Sequence, residues 1–167
     1  MKRKTEPRAW VGWREWVALP ELGIDAIKAK IDTGASTSAL HAVHLRRFRE
    51  GGRDRVEFEV HPLQRRTDHT VRCVADVCDE RLVISSSGHR EKRLVIRTEL
   101  AIGGRSWPIE LTLTNRDTMG FRMLLGRSAM HGRLLVDPSA SFLAGAADGE
   151  ARPRREAKRP ISANIPE

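Results

Sequence analysis

The feature that most limits how this chain can fold is short. Ile27-Lys28-Ala29-Lys30-Ile31 alternates apolar and charged residues and ends in Asp32-Thr33-Gly34-Ala35. Alternation of that period reads as a half-buried strand, and Asp with Gly is turn chemistry at a strand's end. A hairpin arm thus delivers a carboxylate onto a sharp turn. Gly34 lets the backbone bend where a side chain would clash, and its amide can donate to the Asp32 oxygens. Two carboxylates that share one proton can hold a water between them, one acting as base and the other as acid. One chain offers one such motif, so a second Asp32 is expected from a second chain. Thr33 would then face its symmetry mate and exchange hydroxyl hydrogen bonds across the axis. Asp-Thr-Gly alone is more often an ordinary turn, so its meaning depends on what else the chain carries.

Two further features accompany it. Ala35 and Ser38 extend the first motif, and Met123-Leu124-Leu125-Gly126-Arg127 supplies a distant apolar run closed by Gly-Arg. In this order they resemble the half-site pattern of the retropepsin-like aspartic endopeptidases. The segments Ala29 to Ala35, Leu113-Thr114-Asn115-Arg116-Asp117, Phe121 to Arg127 and Val136-Asp137-Pro138 are similar to a small bacterial branch of that group, often labelled "ATP-dependent zinc protease". The likeness runs from about Trp10 to Gly145.

That resemblance implies an all-β fold, a closed and mostly antiparallel retropepsin-like (acid protease) barrel with one short helix after Gly126-Arg127. It implies a catalytic Asp32, a supporting loop of Thr33, Gly34, Ala35 and Ser38, and a second loop of Leu125, Gly126 and Arg127. A hairpin tip at Ser86, Ser87, Gly88 and His89 falls where such proteins carry a flap. The implied function is an aspartic endopeptidase, in which an Asp dyad across a homodimer activates water to hydrolyse a peptide or protein substrate, with no metal and no cofactor. Two positions depart from the pattern. Ser36 stands where an acidic residue commonly meets the arginine, which leaves Arg127 to find Asp117 or Asp137, and Ser128 replaces the usual Asn or Asp.

Two rival functions follow. The first is a non-catalytic or regulatory protein on the same fold, since relatives of this branch often accompany ATP-grasp ligases that add amino acids to a ribosomal protein tail. The second is a zinc hydrolase using Cys73, Cys78 and histidines. Against it, no His-Glu-x-x-His occurs, and only His41 and His44 have a spacing that would bring two imidazoles together on a helical turn. Gly103-Gly104 lacks the Lys-Ser or Lys-Thr of a phosphate loop, so ATP dependence has no sequence support.

At 167 residues and 40% hydrophobic composition the chain is large enough for a core without staples. It divides into a basic extension at 1–9, a retropepsin-like domain at 10–145 and a basic tail at 146–167, read as disordered because Arg152, Arg154, Arg155, Lys158 and Arg159 are broken by Pro153 and Pro160. The net charge of +8 invites RNA or an acidic partner, but no aromatic residues interleave with the basic run, so nucleic acid is the weaker reading. Nothing of signal length or membrane-spanning character is present, which leads us to expect a cytoplasmic protein. Cys73 and Cys78 read as a reduced pair.

Strands are expected at Trp10 to Leu19, Ile24 to Ile31, Arg55 to Val60 and Val71 to Cys78, and the last two should pair. Ser38 to Phe48 reads as strand or helical turn. Leu82-Val83-Ile84 and Leu94-Val95-Ile96 flank the polar hairpin tip, and Gly103-Gly104-Arg105 turns a second hairpin. Pro108 places one strand at an edge. Ser128 to His131 can start a short helix, and Leu134-Leu135-Val136 forms another strand. The tryptophans Trp10, Trp13, Trp16 and Trp107 are assigned to core packing or a dimer interface.

Overall fold

A computed structural model describes residues 6–63, 69–84, 87–115 and 120–145. Alternation decides most of it. In β3 (Ile24–Ile31) the side chains of Ile27, Ala29 and Ile31 are buried, while Lys28 and Lys30 are only partly covered. In β6 (Arg53–Val60) Val56, Phe58 and Val60 turn inward and charged residues turn outward. The core joins these residues to Val17, Leu19, Leu40, Ile96, Leu100, Leu111, Met123 and Leu125.

The remaining strands are β1 (Ala9–Val11), β2 (Arg14–Leu19), β4 (Ser38–His41), β5 (Val43–Glu50), β7 (Val71–Ile84), β8 (Arg90–Ile102), β9 (Arg105–Thr114), β10 (Met123–Leu125) and β11 (Leu134–Val136). Among the described residues one α-helix occurs, α1 (Arg127–Met130), at the place expected after Gly126-Arg127. Trp107 is buried under it and donates its indole N–H to the Ala129 carbonyl at 2.9 Å. The turn at Pro20–Leu22 is a short 3-10 helix closed by Gly23 in the left-handed region at φ 73°.

The protein is all-β, as expected, and its sheet is mixed, with most neighbouring strands antiparallel and a few parallel. Its strand order is β2-β3-β10-β4-β9-β8-β7-β6-β5, and one further pair, Ala18 with Ala101, bridges β2 to β8. β10 runs parallel to β3, β4 runs parallel to β9, and a separate small sheet pairs β1 with β11 in parallel. For β10 the reason is positional. The chain leaves β3, rounds the Asp32 turn and returns as β4, and the later β10 fills the slot between them. A strand in that slot is parallel to one neighbour and antiparallel to the other.

Several local expectations change. Trp10 to Leu19 is two strands, because the chain breaks at Gly12 and Trp13. Ser38 to Phe48 is strand throughout apart from Ala42, so His41 and His44 share no helical turn, and the His44 imidazole sits 2.8 Å from a Glu59 carboxylate oxygen. β7 is one continuous strand that pairs with both β6 and β8. Pro108 lies in β9, which is interior, yet β4 flanks only Leu111 to Thr114, so the proline has a neighbour on one side alone. Of the four tryptophans only Trp107 is a core residue; Trp10 is 59% exposed. The tail at 146–167 lies outside the described residues.

Candidate functional site

Asp32 follows the last residue of β3, where the sheet ends and the chain must turn. Its own amide donates to the Leu125 carbonyl at 2.9 Å, which fixes the start of the turn against β10. The Gly34 amide donates to Asp32 Oδ1 at 2.9 Å, and the Ala35 amide donates to the Asp32 carbonyl at 3.3 Å. The carboxylate is thereby held in one orientation by a bond to a charged acceptor. Asp32 is half-buried, while Thr33, Gly34 and Ser36 are exposed.

The second loop is stitched to the first. Arg127 and Ser128 donate their amides to the carbonyls of Ala35 and Ser36 at 2.8 and 3.0 Å, and the Ser128 hydroxyl adds a bond to the Ser36 carbonyl at 2.7 Å. Beneath them the fully buried Ser38 accepts the Gly126 amide on its hydroxyl oxygen at 3.0 Å. Gly126 has no room for a side chain, because a Cβ there would lie 2.6 Å from the Thr37 carbonyl. Thr112 donates its hydroxyl to the Ser38 carbonyl, which ties β9 to the same point.

Among the described residues Arg127 does not pair with Asp137. Its guanidinium donates to the Thr33 carbonyl at 2.9 Å, Asp137 is engaged by Ser139, and Asp117 lies outside the described residues. The forked cation clamps the Asp32 turn through a backbone carbonyl, which is why no acidic residue at position 36 is needed. Ser128 makes the bonds to the Ser36 carbonyl described above.

Thr33, Gly34, Ala35, Ser38, Leu125, Gly126 and Arg127 thus gather around Asp32. The hairpin tip belongs to a different part of the sheet. Ser87, Gly88 and His89 cap the long arm made by β7 and β8, and Ser86 lies outside the described residues. Near the tip Leu82 and Ile84 are more than half exposed, and at the same level Glu91, paired with Val83, takes hydrogen bonds from Arg93 and Thr114. The thiols of the zinc alternative do not converge: Cys73 is buried and points at the Leu22 carbonyl, while Cys78 is exposed. Among the described residues no three His, Cys, Asp or Glu side chains are grouped for a metal.

Another side chain, Glu15, is singled out by no motif. It is fully buried, and its carboxylate accepts the amides of Gly12 at 3.0 Å, Leu143 at 2.6 Å and Ala144 at 3.3 Å. Burial pushes its carboxyl above the ordinary value, against the opposing pull of these amides. A signal for it does exist in the sequence, since Glu15 falls on the same strand phase as Val17 and Leu19.

Residues 10–147 match the RimB-like family, described as retropepsin-like aspartic endopeptidase RimB. The chain belongs to that family. Its relatives carry another name. A probable alpha-L-glutamate ligase of Shewanella pealeana is 52% identical over 135 residues, covering 81% of this chain and 30% of the relative. Proteins of the same name from Desulfotalea psychrophila and Parasynechococcus marenigrum are 50% and 53% identical over 141 and 135 residues, covering 84% and 81% of this chain. The chain spans about 30% of the length of these relatives. Among solved structures, the Legionella pneumophila protein Lpg0085, of unknown function, aligns with a TM-score of 0.69 at 25% identity, covering 83% of this chain and 99% of that one.

These relatives correct the expected function. A chain half identical to proteins named as glutamate ligases is not assigned the hydrolysis of peptide bonds by an Asp dyad, and the ligase-associated alternative is the reading they favour. Family membership accounts for the turn and its stitched loops; a fold and its signature do not fix the activity that uses them. Among the described residues no helix is long and apolar enough to cross a membrane.

Proposed function

We propose that this protein is a regulatory partner module of an alpha-L-glutamate ligase, built on a retropepsin-like fold. The observation that carries this reading is identity of about one residue in two across most of the chain to proteins of that name, of which it matches about 30%. A domain that recurs within much longer proteins named as ligases is suited to act on or with a ligase.

The geometry is compatible with such a role. Thr33, Gly34 and Ser36 stand exposed on a turn that backbone and side-chain bonds hold from beneath, so the protein offers a rigid projecting surface rather than a mobile loop. Preorganised surfaces bind with less ordering cost. In this reading the turn docks against a partner, a second copy of the chain or the ligase itself, and the setting is the cytoplasm. The acceptor polypeptide of the ligase, a ribosomal protein in the sequence-based expectation, is the further partner.

The test is a reconstituted glutamate ligase assay with its acceptor polypeptide, run with and without this protein. The expected result is a changed rate or extent of glutamate addition, altered equally by wild type and Asp32→Asn. A ligase that responds to neither protein would refute the reading. Loss of the effect in Asp32→Asn alone would refute a purely regulatory role.

A further inference from the structure

After β11 the chain turns and runs back across the molecule. Asp137 donates its amide to the Val11 carbonyl and accepts the Ser139 amide and hydroxyl on its carboxylate, which reverses the chain. Residues 137–145 then lie along the junction of β1 and β2. The Trp13 amide donates to the Ala140 carbonyl at 2.9 Å, the Phe142 amide donates to the Arg14 carbonyl at 3.0 Å, and the Arg14 side chain donates to the Ser141 hydroxyl at 3.2 Å. Phe142 stacks on Trp16 at 6.2 Å between centroids, with Lys28 and Arg14 over the rings. Glu15 reaches from beneath to take the Leu143 and Ala144 amides.

Three observations set this segment apart from an ordinary terminus. Gly12 is bare where the segment crosses it, since a Cβ there would lie 2.2 Å from the Ala140 carbonyl oxygen. Phe142 holds φ 55°, a left-handed conformation that a bulky side chain adopts only when its surroundings over-determine it. The segment is anchored to the interior by a buried carboxylate that serves both strand and segment. The docked state therefore combines a specific latch with local strain that undocking would release.

The latch also connects to the Asp32 turn. Trp13, whose amide bonds the segment, accepts the Ile31 amide on its carbonyl at 2.8 Å, one residue before Asp32. The Trp13 ring meets Phe121 edge to face at 5.9 Å, just ahead of β10, and Leu125 of β10 accepts the Asp32 amide. Segment, Trp13, Ile31 and the Asp32 turn form one contiguous set of contacts.

We propose that residues 137–145 form a releasable strap, latched on Glu15, whose docking holds the strand end that delivers Asp32. Release of the strap frees Trp13 and loosens the turn. The device gives the C-terminal side of the domain control over the surface carrying Asp32, whatever partner that surface meets.

Native-state hydrogen exchange with increasing denaturant tests this on the unaltered protein. The amides of Trp13, Phe142, Leu143, Ala144 and Ile31 should merge into a single opening below global unfolding, while β8 and β9 amides remain protected. Glu15→Ala should speed exchange of that set by roughly 10- to 100-fold, since the strap amides lose their acceptor. Gly12→Ala should do the same by displacing Ala140, and Glu15→Gln, which keeps an acceptor oxygen, should stay close to wild type. If the strap amides exchange only with global unfolding, the strap is not releasable. If they open while Ile31 keeps its protection, the strap does not hold the turn. Either result overturns the proposal, and neither depends on how a ligase responds.

Discussion

Replacing Gly126 by alanine probes the contact between the two stitched loops. A Cβ at this position would sit 2.6 Å from the Thr37 carbonyl carbon and oxygen and 3.0 Å from the Ala35 carbonyl oxygen. Ordinary non-bonded contacts lie at about 3.5–4 Å, so the two loops must separate by roughly 1 Å, and the obstructing atoms are backbone. Overpacking of this kind costs about 1–3 kcal/mol. The amides of Gly126, Arg127 and Ser128 all cross the same gap, to Ser38, Ala35 and Ser36. Losing two of these bonds at about 1 kcal/mol each brings the expected cost to roughly 3–5 kcal/mol. In a domain of this size that is a fall in Tm on the order of 10 °C. Gly34→Ala is the internal control, because its Cβ would meet only the Asp32 carboxylate oxygen, at 3.1 Å, and a side-chain oxygen can rotate away. Urea and thermal unfolding of both variants gives the comparison. Equal stability of Gly126→Ala and Gly34→Ala would mean that the loops do not meet at Gly126.

Further expectations concern single groups. Ser38→Ala removes the acceptor of a buried amide and should destabilise by about 1–3 kcal/mol in urea unfolding; an unchanged midpoint would count against that bond. Because burial raises the Glu15 carboxyl in the folded state, its contribution to stability is fully present below its ordinary value of 4.5 and is lost as pH rises through the raised one. Stability measured across that window should therefore decline in wild type relative to Glu15→Gln, and parallel curves would contradict the assignment. Among the thiols, Cys78 should react with iodoacetamide at mildly alkaline pH while Cys73, buried and with its thiol pushed up to about 12, should stay unmodified until the protein unfolds. Mass spectrometry of the alkylated peptides decides this, and early labelling of Cys73 would show that β7 is not packed as described.

The parts of the fold that the sequence disclosed are those set by local chemistry. Alternation located β3 and β6, Gly103-Gly104 turned the β8 to β9 hairpin, and the Asp32 and Gly126-Arg127 motifs, though far apart in sequence, did mark two loops that meet. Sheet order was not legible, because nothing within Met123–Leu125 states that its neighbours will be β3 and β4, and nothing within Ser38–His41 states that it will lie parallel to β9. Arg127 was expected to seek a carboxylate, but a guanidinium is equally served by a carbonyl held at the right place, and Thr33 supplies one. Glu15 belongs to no motif, and its shared strand phase with Val17 and Leu19 gains its meaning only from the distant Leu143 and Ala144 amides that it binds. The use made of the site was the least legible feature, since the motif specifies how a turn is held and not which reaction or partner it serves.

Whether this protein works with an alpha-L-glutamate ligase, as proposed, is tested most simply by direct binding. Sedimentation velocity of the purified protein mixed with such a ligase should reveal a complex, formed to the same extent by wild type and Asp32→Asn. Two species that sediment independently at every concentration and ratio would show that the protein is not a partner of that ligase.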